Sequence, residues 1–245
     1  MKKNKIIATA LYWLFILSFP LLLVTTTVRG EVNCARLYEY GFAKYNVSQT
    51  TALNSTQLSA IAQRLIGFFN SRVETPQMNV TNAYGEEFEL FHDYELVHLD
   101  DVKRLFGLNS LVQVMVLVYI IAYILLFFLV MRGRWQDLVR GIRWGCVLTL
   151  ALLGGLGIAV RFFFEEMFIQ FHLAVFPNLY WLLDPQKDYL IMLFPQGFWM
   201  DAVYIGVAMI VAGALLFGGI AWAILRKSKI KMQNDRAKVK NIFAF

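Results

Sequence analysis

The amino-acid sequence predicts an all-α membrane protein: a four-helix transmembrane bundle with a small extracellular α+β cap formed by its first outer loop. Three observations carry that reading. Four stretches stay apolar over about the 20 residues that a helix needs to cross a bilayer. Of the 245 residues, 58% are apolar and 16% charged, whereas soluble domains average about 45–50% and about 25%. The charges are also sorted by segment, as membrane topology requires. Disorder is excluded, because so much apolar surface cannot stay solvated. Two cysteines, Cys34 and Cys146, rule out a disulfide scaffold and an all-cysteine zinc site.

Taken in order, residues 1–28 read as a short tail and the first transmembrane helix, apolar from Ile6 to Val28 behind Lys2, Lys3 and Lys5. That run exceeds the about 7–15 residues of a signal-peptide core, and no A-x-A site follows, so the helix is expected to be retained. The residues before Cys34 form no lipobox. Residues 29–107 are the expected cap. Ser55 caps a helix with Leu58, Ile61, Ala62, Leu65, Ile66 and Phe69 on one face. Alternation through Phe88, Leu90, His92, Tyr94, Leu96 and His98 predicts a strand, although Leu90, Phe91, Tyr94 and Val97 also fit a helix. Asp100 or Asp101 is expected to start the helix that feeds the second span.

Residues 108–160 hold the second span, Leu108 to Met131, and the third, Ile142 to Val160, joined by a short basic loop. Gly154, Gly155 and Gly157 suit close helix contacts in the third span, as do Gly213, Gly218 and Gly219 in the fourth. Residues 161–201 form a second outer loop dense in aromatics. There Arg161 and Glu165 are spaced to pair on a helix, and Leu190 to Trp199 reads as an interface-lying or re-entrant stretch. Residues 202–225 are the fourth span and 226–245 a basic tail.

The N-terminal tail, the 132–143 loop and the C-terminal tail carry 14 basic residues against Asp137 and Asp235, a net +12. Segments 29–107 and 161–201 hold 9 basic and 15 acidic residues, a net −6. Basic segments favour the cytoplasm, so both termini are expected inside a cell membrane and both large loops outside. The overall +6 is therefore a topology signal with a possible anionic-lipid contact, and no nucleic-acid partner is expected.

Three histidines, His92, His98 and His172, all lie in the outer segments. His98 and His172 flank the second and third spans at similar distance, so both imidazoles are expected at the outer leaflet, where they suit proton transfer near neutral pH. A satisfied structural role is the competing reading for each, and for His92 the preferred one. A metal site from His92, His98 and Asp101 matches no ligand motif. No G-x-S-x-G, H-E-x-x-H or Walker A sequence occurs, and the spans lack the buried charges of a transport route.

Five pieces together carry a family resemblance: His98-Leu99-Asp100-Asp101-Val102-Lys103, Phe171-His172, Trp181-Leu182-Leu183-Asp184-Pro185, Asp188-Tyr189-Leu190-Ile191 and Phe194-Pro195. Over about residues 5–225 the chain resembles the bacterial lipoprotein intramolecular transacylases, four-span proteins with an extracellular cap. One departure is Leu173-Ala174-Val175 after His172, where a more polar residue is expected. The resemblance implies a diacylglyceryl-cysteine lipoprotein as substrate. Its sn-2 acyl chain moves to its own α-amine, with His98 and His172 as catalytic pair and no cofactor or metal. His172 is then assigned as base and His98 as the group that polarises the carbonyl or protonates the leaving oxygen. Arg161, Trp181 and backbone N–H groups near Asp184 are candidate donors to the carbonyl oxygen, and Asp101 a candidate to orient an imidazole. The expected partners are diacylglyceryl lipoproteins and membrane lipid. A non-catalytic lipoprotein-binding or chaperone-like protein and a metal-dependent lipid hydrolase are the alternatives.

Overall fold

The structure is a computed structural model that describes residues 2–82 and 85–242. Its elements are α1 (Lys2–Val32), α2 (Ala35–Lys44), α3 (Val47–Thr51), α4 (Ser55–Phe69), β1 (Asn79–Thr81), β2 (Glu87–Glu89), α5 (Asp93–Leu129), α6 (Trp135–Val175), α7 (Tyr189–Leu193) and α8 (Gln196–Ile242). Four stretches, Lys5–Val32, Asp93–Leu129, Trp135–Gly157 and Gln196–Asn234, are long and apolar enough to cross a membrane. Leu14, Met115, Leu125 and Leu215 on these helices are exposed, which suits a hydrocarbon solvent rather than water. The four expected spans are thus present, and the chain is a multi-pass membrane protein.

The chain divides into two compact units, the first made of residues 1–24, 113–156 and 208–245. Its core joins Phe15, Tyr123, Phe127 and Leu138, with the Phe15 and Tyr123 rings stacked 4.8 Å apart. Close approach falls at glycines other than those expected in the third span. A Cβ at Gly141 would lie 2.8 Å from the Phe15 ring and one at Gly145 2.7 Å from Phe19, whereas one at Gly154 or Gly155 would meet nothing within 4 Å. The fourth-span expectation holds for Gly213, close to Leu23, and Gly218, close to Cys146, but not for Gly219.

The second unit comprises residues 25–112 and 157–207. Helix α4 buries Leu58, Ile61, Ala62, Leu65 and Ile66, as its apolar stripe predicts. Its cap is Asn54 rather than Ser55: the Asn54 side chain accepts from Gln57 N while Gln57 Oε1 accepts from Asn54 N, a reciprocal capping box. The expected strand is cut short. Only Glu87–Glu89 pairs, antiparallel to Asn79–Thr81, and α5 begins at Asp93, not at Asp100 or Asp101. Glu95 supplies the reason. As the third residue of the helix, it accepts from the backbone N–H of His92 at 2.7 Å, and that stops β pairing and starts the helix.

The apolar part of the second loop also departs from expectation. Leu190, Leu193, Phe194 and Phe198 are buried in one core with Tyr38, Phe42, Leu58 and Ile61, so they fill the interior of this unit instead of lying on a membrane surface. Helix α2 is held to the start of α8 by Asp201, whose carboxylate accepts from Lys44 Nζ at 2.7 and 2.9 Å and from Tyr45 OH at 2.8 Å. Helix α6 has a non-helical residue, Phe163 (φ −132°, ψ 32°), between Arg161 and Glu165. That break removes their i, i+4 spacing, and no ion pair joins them among the described residues.

Candidate active site

Helix α5 carries His98 in its second turn, and α6 carries His172 in its last. Both are buried, at 7% and 8% exposure, and their ring centroids are 6.1 Å apart. Four aromatic rings line the pair. His98 meets Phe176 edge-on at 4.8 Å, and His172 contacts Phe168 at 4.2 Å, Phe171 at 5.4 Å and Trp181 at 4.9 Å.

The two imidazoles differ in hydrogen bonding. His172 Nδ1 lies 2.7 Å from the carbonyl oxygen of Phe168, one helical turn back. A carbonyl only accepts, so Nδ1 carries the proton and the neutral ring keeps its lone pair on Nε2. Burial lowers the His172 pKa below its ordinary value, an effect that the Phe168 carbonyl partly opposes, so the neutral form prevails near pH 7. His98 Nδ1 is buried with no hydrogen-bond partner, and so is Trp181 Nε1.

A second polar cluster lies at the first turn of α5. Glu95, fully buried, accepts from His92 N, from Leu190 N at 2.8 Å and from the His92 ring at 2.9 Å. Asp188, 1% exposed, accepts from Tyr94 OH and from Asp184 N at 2.6 Å, and lies 3.5 Å from His92 Nδ1. All four carboxylate oxygens are thereby engaged. Ligand atoms of His92, Glu95 and Asp188 fall within 4.8 Å of one another, a spacing that could hold a metal ion; His98 and Asp101 are not part of that set.

The other sequence candidates separate from the histidine pair. Asp101 accepts from Asn178 Nδ2 at 2.7 Å and lies 3.5 Å from Arg104, so its hydrogen bond goes to the loop after α6 and not to an imidazole. Asp184 is exposed and forms a turn, accepting from Gln186 N at 2.9 Å. Arg161 is exposed, with its guanidinium 5.7 Å over the Phe162 ring. Sequence reasoning missed Glu95, Asp188, Asn178 and Phe176. Of these Glu95 had a usable signal, three residues after a helix-capping position, and Asp188 lay in one of the pieces that carry the family resemblance.

The fold and this site define a multi-pass membrane protein with a buried, aromatic-walled histidine pair. Comparison then gives the family. The profile of the lipoprotein intramolecular transacylase family, Lit, matches residues 13–199, and the chain belongs to that family. It is accordingly an acyltransferase of lipoprotein processing, which disfavours the hydrolase and binding-protein readings. Its fold is similar to that of the membrane-integral Lit from Bacillus cereus, with a TM-score of 0.73 and 19% identity over 91% of this chain and 97% of that one. Two further structures of the Bacillus cereus protein, each with one histidine replaced, by arginine or by alanine, also match at TM-score 0.73. Each has 17% identity over 94% of this chain, covering 97% and 98% of theirs. No curated protein sequence matches the chain.

Proposed function

We propose that the chain moves the sn-2 acyl group of a diacylglyceryl-cysteine lipoprotein onto that lipoprotein's own α-amine, using His172 as base and His98 as its acidic partner. The observation that carries this reading is the Phe168 carbonyl on His172 Nδ1, because it leaves Nε2 as the basic nitrogen beside a second buried imidazole. The amine lone pair attacks the ester carbonyl carbon and His172 Nε2 takes the ammonium proton. The C–O bond to the glyceryl sn-2 oxygen then breaks, and that oxygen receives a proton from His98, which recovers one from the His172 imidazolium so that both rings end neutral. An amide and a free hydroxyl result, with no change of mass. Reacting groups on one molecule need only be folded into contact, so the site's task is orientation and exclusion of water.

The charge asymmetry supports both termini in the cytoplasm, residues 29–107 as an extracellular cap and the histidines at the outer leaflet. Membrane lipid and diacylglyceryl lipoproteins are then the partners. Fragmentation mass spectrometry of the N-terminal lipopeptide from membranes supplied with diacyl lipoprotein tests the proposal. The wild-type chain is expected to place an acyl group on the amine, and His98→Ala or His172→Ala to lower the rate by about 10²–10⁴-fold. Unchanged conversion by either variant refutes it.

A further inference from the structure

Among the described residues, three buried side-chain atoms have no hydrogen-bond partner: Glu31 Oε1, His98 Nδ1 and Trp181 Nε1. Two of the three belong to rings that flank His172. An indole nitrogen can only donate, and a sealed donor without an acceptor is costly unless something in the working cycle supplies one.

Several other candidate donors near this loop are spent. Asp184 N donates to Asp188 and Gln186 N to Asp184; Pro185 has no N–H to give. Tyr180 N donates to Asn178 Oδ1 and Leu182 N to the Leu179 carbonyl. Arg161 is exposed over Phe162. Among these groups the Trp181 indole N–H is the unused donor beside the base.

Its loop is fastened on both sides to α5, the helix that carries His98. Before Trp181, Asn178 donates to Asp101; after it, Asp184 N donates to Asp188, which also accepts from Tyr94 OH. An N–H held this way keeps its aim while charge develops in front of it, which is what an oxyanion donor requires.

We infer that Trp181 Nε1–H is the catalytic donor to the acyl carbonyl oxygen, an inference that rests on the transacylase reading above. As the amine nitrogen bonds to the carbonyl carbon, the π pair moves onto oxygen and the indole N–H donates to it. When that pair re-forms C=O, the glyceryl oxygen leaves and takes a proton. The indole keeps its own proton throughout. Since Nε1 is sealed, the entering ester parts the aromatic lining and exchanges no water for this bond.

Trp181→Phe keeps an aromatic ring and deletes the donor. Expected is a loss of about 10²–10³-fold in kcat with KM little changed, and partial recovery in Trp181→His, which restores an N–H. A wild-type kcat in Trp181→Phe, or a raised KM with kcat preserved, overturns the inference. A second measurement avoids variants that fail to fold. In ¹⁵N-labelled wild-type protein, the Trp181 indole resonance should move downfield when the N-acylated lipopeptide binds, and a static resonance overturns the inference. His172→Ala run in parallel separates the two readings. Loss in His172→Ala with full activity in Trp181→Phe defeats only the donor assignment. Full activity in His172→Ala defeats the histidine-base reading on which the assignment rests, and no acyl transfer by the wild-type chain defeats the reaction itself.

Discussion

Two polar clusters lie within two turns of each other at the start of α5, and they are built on opposite terms. At His92, Glu95 and Asp188, every carboxylate oxygen accepts a hydrogen bond from within the fold. At His98, His172 and Trp181, two nitrogens are sealed with no partner. Burial alone therefore does not mark a candidate site, since Glu95 is more deeply buried than either imidazole of the proposed pair. The difference is in what is left over. A cluster with nothing left over fixes the chain, and one with unspent hydrogen-bonding capacity can meet a substrate.

Substitutions can sharpen or break that contrast. The largest effects are expected on activity at His98, His172 and Trp181, with little change in thermal unfolding, because those side chains hold few bonds that the fold needs. The reverse is expected at Glu95. Glu95→Ala strands the buried N–H groups of His92 and Leu190 and should cost about 2–5 kcal/mol of stability, read as a lower unfolding midpoint in detergent. A Glu95→Ala protein as stable as wild type breaks the contrast.

Asn178→Ala is the intermediate case. It removes one bond to Asp101 and should cost about 1 kcal/mol, while kcat falls more than stability suggests because the Trp181 loop loses one fastening. Equal activity in this variant and wild type would detach the loop from the chemistry. The smallest effect is a pH slope. His172 binds its proton less readily folded than unfolded, so the unfolded chain takes up more protons as pH falls below the ordinary imidazole value. Stability is thus full above that value and is lost as pH drops toward the folded pKa; His172→Gln should flatten this slope in unfolding midpoints measured from pH 8 to pH 5.

The four spans were legible because about 20 apolar residues in a row have few other uses, and the histidine pair because only three histidines exist and all fall outside the four apolar runs of the sequence. What escaped the sequence depended on partners far along the chain. Alternation from Phe88 to His98 looked like a strand until Glu95 bonded His92 N and Leu190 N. Asp101 offered itself to an imidazole, but Asn178, 77 residues away, claims it. Leu190 to Phe198 looked lipid-facing because apolar residues are equally at home in a protein core, and only their burial against Tyr38 and Phe42 decides between the two.

The shared core of the second unit also fixes an order of assembly. Leu58, Ile61 and Phe42 are covered by Leu193, Phe194 and Phe198, and Lys44 meets Asp201 across 157 residues of chain. During synthesis the chain emerges N-terminus first, so the segment before the second span must wait, with its apolar face open, until the third span has been made and the next loop delivered. Loop closure of that length is slow. Nascent chains halted before residue 190 should accordingly be the species that proteases and chaperones recognise.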